Sequence, residues 1–144
     1  MEIVKYPTPS LFERSKEVEI NKELLEFIQK MFEFKQNLSW GRAVGLSAPQ
    51  VGRNIRVFIA LDMVYTNPVM EVLEDEGKEM KQEGCYSLEE NKFDYKVERY
   101  NAIRLTWTNR KGVEKSLIFR GFPAQVIQHE YDHLEGRLCS GDKK

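Results

Sequence analysis

Two imidazoles four residues apart, His129 and His133, with Glu130 directly after the first, stand in the run Gln128-His129-Glu130-Tyr131-Asp132-His133-Leu134-Glu135-Gly136. On a helix, residues i and i+4 share one face a turn apart, so both rings can reach a single metal ion while the carboxylate stands beside it. Such a set suits a hydrolytic centre in which a divalent cation lowers the pKa of water and a glutamate carries the proton. Two helical histidines are commonly ordinary surface or core residues. Here, however, the chain has only 2 His, and both fall in the H-E-x-x-H frame.

An open catalytic site of this kind usually takes three protein ligands and leaves one position for water. Beyond His133 the alternatives of suitable chemistry are Glu135, predicted to point away from the histidine face, and Cys139, which lies past Gly136. Cys85, in Glu83-Gly84-Cys85-Tyr86-Ser87, is the stronger candidate, because a cysteine after glycine is sterically open. Its plainer reading is a small buried hydrophobe. A third stretch, from Gly41 to Gly52, combines small residues with Gln50 and allows a ligand or another backbone to approach closely. Alone it reads as a tight crossing between a helix and a strand; beside the other two motifs it reads as part of a site.

The elements that must position these groups follow from periodicity. Pro123 suits a first helical position and Gly136 the residue just past the end, so a helix is expected between them. Turning 100° per residue puts Phe122, Val126, His129 and His133 on one inward flank and Gln125, Gln128, Asp132 and Glu135 on the other side. Asn21 is expected to cap an earlier helix running to about Phe34, with Leu24, Leu25, Ile28, Met31 and Phe32 as its apolar stripe. Residues 55–61 read as a strand buried on both faces, residues 66–73 as a second extended segment, and residues 79–82 as an approach to a third beyond an acidic turn. Ala102 to Thr108 alternates, with Ile103, Leu105 and Trp107 on one face, and Asn109 to Gly112 turns it into residues 113–120, a hairpin that feeds the metal helix. The fold expected is α+β, mostly antiparallel strands packed around a C-terminal metal-binding helix, in one catalytic domain spanning residues 1–144.

With 22 basic against 23 acidic side chains and a net charge of −1, nothing in the charge balance suggests nucleic acid or an anionic membrane as the partner. No apolar run reaches the length of a membrane span, and the opening residues lack a signal-peptide layout, so a cytoplasmic location is expected. The 2 cysteines are then expected as a metal ligand or a buried thiol rather than a disulfide.

Taken in order, the three stretches resemble the peptide deformylase family, which carries a G-x-G-L-A-A-x-Q segment, an E-G-C-L-S segment and a Q-H-E-x-D-H-L-x-G helix. The third matches in full from Gln128 to Gly136; the second matches with Tyr86 in place of leucine; the first runs from Ala43 to Gln50, with Ala43 for the leading glycine and Ser47 for an alanine. The resemblance extends over nearly the whole chain, in a short form without the extended C-terminal helix, as in phage-encoded versions. It implies removal of the N-terminal formyl group from nascent formyl-methionyl peptides, releasing formate. It makes Cys85, His129 and His133 the ligands of one divalent metal, Fe(II) natively, with zinc, nickel or cobalt accepted in its place. Glu130 would be the proton carrier, and the Gln50 amide and the Tyr86 backbone N–H would be the oxyanion donors. The peptide would lie as an added strand between Val44-Gly45 and Glu83-Gly84. Helix geometry adds Phe122 and Val126, with Val44, as walls for the methionine side chain. A transient ribosome contact is compatible with that substrate. The rival readings are an H-E-x-x-H metallopeptidase, which needs a ligand downstream of the helix, and a catalytically silent, metal-stabilised binding module.

Overall fold

The computed structural model describes residues 1–38, 44–89 and 92–141; Ala43, the expected start of the first motif, lies outside them. Helix α1, Lys22–Gln36, begins where expected: the Asn21 side chain accepts a hydrogen bond from Leu24 N–H, closing one of the donors a helix start leaves open. Its apolar stripe buries Leu24, Phe27, Ile28 and Met31, whereas Leu25 is exposed.

Five strands form one antiparallel sheet in the order β1 (Gly45–Ser47), β2 (Val57–Ala60), β3 (Met63–Val72), β6 (Ala102–Thr108) and β7 (Glu114–Arg120). A separate two-stranded ribbon pairs β4 (Lys78–Glu83) with β5 (Tyr95–Tyr100). Helix α2, Gly121–Leu134, follows β7 directly. The α+β class read from the sequence holds, with the sheet antiparallel and the C-terminal helix packed on it.

Strand β2 explains why both helices sit where they do. Successive side chains of a strand point to opposite faces, so Phe58 and Ala60 join the core with Ala124, Val126, Ile127 and Leu134 of α2, while Val57 and Ile59 join Leu24, Ile28 and Met31 of α1. The strand is buried along its whole length, and the sheet's β1–β2 end lies between the two helices. Strand β6 contributes Ile103, Leu105 and Trp107 to the α2 side, as its alternation predicts. Its hairpin partner β7 is an edge strand whose side chains stay largely in solvent, Leu117 included.

Two expectations are corrected. Helix α2 is enclosed on most of its circumference rather than on one flank: Gln128, assigned to the solvent side, is buried, because its amide accepts from Tyr100 N–H and donates to Tyr100 O, clamping the helix to the end of β5. Phe122, assigned to the inner flank, is 54% exposed, since it occupies the first turn, before the helix passes under the sheet. The far end of α2 is anchored by the buried Arg56 guanidinium, which donates to Leu134 O at 3.3 Å and to the Glu135 carboxylate at 2.8 Å. A cation at a helix C-terminus faces the negative end of the helix dipole. Gly136, at φ 74°, then turns the chain away from the helix. No helix of the described residues is long and apolar enough to cross a membrane.

Candidate metal centre

Two separate elements bring three side chains together at one face of α2. The turn after β4 supplies Cys85, and the helix supplies His129 and His133; one ligand atom from each lies within 4.8 Å of the others. Cys85 Sγ is 3.3 Å from His133 Nε2, and the two imidazole rings stand 5.2 Å apart between centroids. Glu135 is absent from this group, occupied by Arg56 and by Arg14 at 3.3 Å.

The electrostatics favour charged sulfur. Burial alone would push the Cys85 thiol up, but the charge of His133 and hydrogen bonds from both imidazoles outweigh it and hold the thiol well below its usual range. Burial alone would likewise depress His129, yet its hydrogen bonds to Cys139, Cys85 and Glu83 raise it well above the ordinary imidazole value. Two further buried atoms, Glu130 Oε1 and His133 Nδ1, have no hydrogen-bond partner among the described residues. A thiolate and two imidazoles concentrated in this way form a donor set of the kind that takes zinc or a late first-row divalent cation, so the chemistry of the side chains fits a bound metal.

Glu130 is 3% exposed, and its carboxyl is pushed up to about 7 by burial, against the opposing pull of the two imidazoles. It faces β1 so closely that a Cβ on Gly45 would strike its carboxylate, which gives the glycine a steric reason to be there. Gly84 also has a reason, though a different one from substrate access: a Cβ there would come within 2.5 Å of the Phe93 ring and 2.6 Å of Lys92 O.

Gln50 lies in a short 3₁₀ turn, Ala48–Val51, just after β1. Its Nε2 donates to Cys85 Sγ and to Ser87 Oγ, both at 3.3 Å, so the first and second motifs meet across this amide. Tyr86 follows Cys85 in the turn, and its carbonyl accepts from Lys5 Nζ at 2.6 Å. Val44 and Phe122 are both exposed, whereas Val126 is 4% exposed and belongs to the core against Phe58 and Tyr65. Both β1 and β4 keep one edge without a partner strand among the described residues.

Several residues here were not singled out from the sequence. Arg99, buried on β5, donates to both Glu83 carboxylate oxygens at 2.7 and 2.9 Å and to Asp132 at 2.6 Å. Glu83, expected only for its backbone, also uses its side chain, accepting from His129 Nδ1 at 2.8 Å. Burial alone would raise that carboxyl, but the hydrogen bonds from Arg99 and His129 outweigh it and bring it down to about 2. Cys139, set aside as remote, returns after Gly136 to lie beside His129, with Glu83, His129 and Cys139 ligand atoms within 4.8 Å of one another. A signal for this network was available: Arg99 falls on the same parity as Tyr95 and Val97, which is where a strand's inward residue would be.

Comparison with known proteins finds relatives over nearly the whole chain. The family model described as polypeptide deformylase matches residues 1–142. A peptide deformylase of Pseudothermotoga lettingae is 36% identical over 134 residues, covering 90% of this chain and 75% of that protein. The crystal structure of peptide deformylase from Thermotoga maritima superposes with a TM-score of 0.88 at 31% identity, covering 99% of this chain and 97% of that one. A probable peptide deformylase from Synechococcus phage S-SSM7 superposes with a TM-score of 0.83 at 34% identity, covering 96% of each chain.

Proposed function

This chain belongs to the polypeptide deformylase family, and on that premise we propose which of its residues remove the formyl group from the N-terminus of nascent peptides. Cys85, His129 and His133 hold one divalent metal, natively Fe(II), with zinc, nickel or cobalt as substitutes. The observation that carries the assignment is the convergence of their three ligand atoms within 4.8 Å beside a buried glutamate. When bound, the cation supplies Lewis-acid charge that lowers the pKa of water and polarises the formyl carbonyl.

The rest of the chemistry falls to the chain itself. Glu130 takes the proton from the attacking water and returns it to the departing amine, a role suited to a carboxyl that burial raises above its ordinary range. As water adds to the formyl carbon, charge builds on the formyl oxygen, where the Gln50 Nε2 amide and the Tyr86 backbone N–H donate to it. Collapse breaks the C–N bond and releases formate and the free methionine amine. The peptide lies as an added strand between the open edges at Val44-Gly45 and Glu83-Gly84. Val44, Phe122 and Val126 wall the methionine side chain in this reading, the first two exposed and Val126 buried in the core. Nascent chains are met in the cytoplasm, and a transient ribosome contact is compatible with that substrate.

Anaerobic loading with Fe(II) and incubation with a formyl-methionyl tripeptide tests the assignment. Stoichiometric formate and an unbroken peptide chain are expected, with Glu130→Ala reducing the rate by at least about a hundredfold while metal remains bound. Full activity in that variant, or internal peptide fragments in place of formate, would contradict it.

A further inference from the structure

A glutamine amide has a donor end and an acceptor end of nearly the same shape, and only the donor end can stabilise an oxyanion. At Gln50 the choice between them is made by Ser47. The backbone N–H of Ser47 lies 3.1 Å from Gln50 Oε1, and a backbone N–H can only donate, so the atom facing it must be the carbonyl oxygen. Ser47 Oγ adds a second hydrogen bond to the same oxygen at 3.1 Å while accepting from the Gln50 backbone N–H. The two residues thus close a capping box on the 3₁₀ turn, a reciprocal arrangement that consumes the acceptor end of the side chain and part of the backbone. Nε2 is left pointing the opposite way, at Cys85 Sγ and Ser87 Oγ.

We infer that Ser47 is a positioning residue for deformylation, its hydroxyl holding the Gln50 amide with the donor end toward the formyl oxygen. The inference rests on the reading of Gln50 as an oxyanion donor. Both side chains are almost fully buried, at 0% and 3% exposure, so neither hydrogen bond competes with water. Alanine, which the family pattern carries at this position, retains the backbone N–H but not the hydroxyl. The hydroxyl is therefore a second restraint, and its loss loosens the amide without abolishing its orientation.

The test is a double-mutant cycle on the metal-loaded protein, with formate release from a formyl-methionyl peptide as readout. Ser47→Ala lowers kcat about three- to tenfold, the value of one buried hydrogen bond, with KM nearly unchanged. In a Gln50→Ala background the same change has no further effect, because the group it positions is gone. A second readout is independent of turnover: in the zinc-loaded protein the ¹⁵N order parameter of the Gln50 side-chain amide falls in Ser47→Ala. An unchanged kcat and order parameter in Ser47→Ala, with Gln50→Ala impaired, would overturn the inference alone. An equal loss in both backgrounds would assign Ser47 a merely structural part and overturn it too. Full activity in Gln50→Ala would instead overturn the oxyanion reading beneath it.

Discussion

His129 Nδ1 donates to Glu83 Oε1 across 2.8 Å, so the ring of one proposed metal ligand is oriented by a carboxylate two residues before another, Cys85. This bond fixes the proton on Nδ1 and leaves Nε2 as the atom that faces the centre. Carboxylates in this position orient the ring and raise its basicity toward a cation. Glu83→Gln keeps the shape and removes the charge, and is expected to weaken metal binding by about ten- to a hundredfold. Competition with a chromophoric chelator measures it; undiminished affinity would show that the carboxylate does not tune the ring.

Arg99 is the counter-charge for that carboxylate and for Asp132 together, all three being largely withdrawn from solvent. Removing one member of a buried ionic set leaves the others uncompensated. Arg99→Leu should therefore cost about 3 kcal/mol or more in urea unfolding. Arg104→Leu, which breaks an exposed pair with Glu71, should cost less than about 1 kcal/mol. Equal effects from the two changes would mean that the buried Glu83-Arg99-Asp132 set stabilises the fold no more than an exposed ion pair does.

Gly45→Ala places a methyl where the Glu130 carboxylate now lies. No positive φ is involved, so the backbone tolerates alanine and the cost falls on the position of the glutamate. Formate release should drop by at least about tenfold, since small misplacements of a proton carrier are expensive, while the melting temperature moves little. A variant with full activity would mean that Glu130 reaches its working position by another path.

A ligand that binds only the folded protein stabilises it according to its concentration and affinity. Stripping the metal with a chelator should thus lower the melting temperature of the native protein by several degrees, and re-addition should restore it. In Cys85→Ala the same treatment should produce a much smaller shift. Identical shifts in the two proteins, followed by scanning calorimetry, would place the stabilising ion elsewhere.

The helices, β2 and β6 are legible because each is carried by local periodicity, and the proposed metal ligands because they stand in short motifs. His129 and His133 need only a helix to share a face, and β2 needs only an unbroken apolar run. What could not be read depends on partners distant in the chain. Strand β5 is not legible in the sequence because its inward position holds Arg99, whose burial makes sense only once Glu83 and Asp132 converge on it. Strand β1 is only Gly45–Ser47, too short and too small in its side chains to show alternation. Helix geometry alone puts Phe122 inward, since it gives the face of a residue but not where the sheet beneath it ends.

X-ray absorption at the metal edge of the cobalt- or iron-loaded protein addresses the donor set itself. One sulfur and two imidazole nitrogens in the first shell, with the sulfur lost in Cys85→Ala and kept in Cys139→Ala, is the result expected. A first shell without sulfur, or one whose sulfur disappears only when Cys139 is replaced, would contradict the assignment of Cys85, His129 and His133.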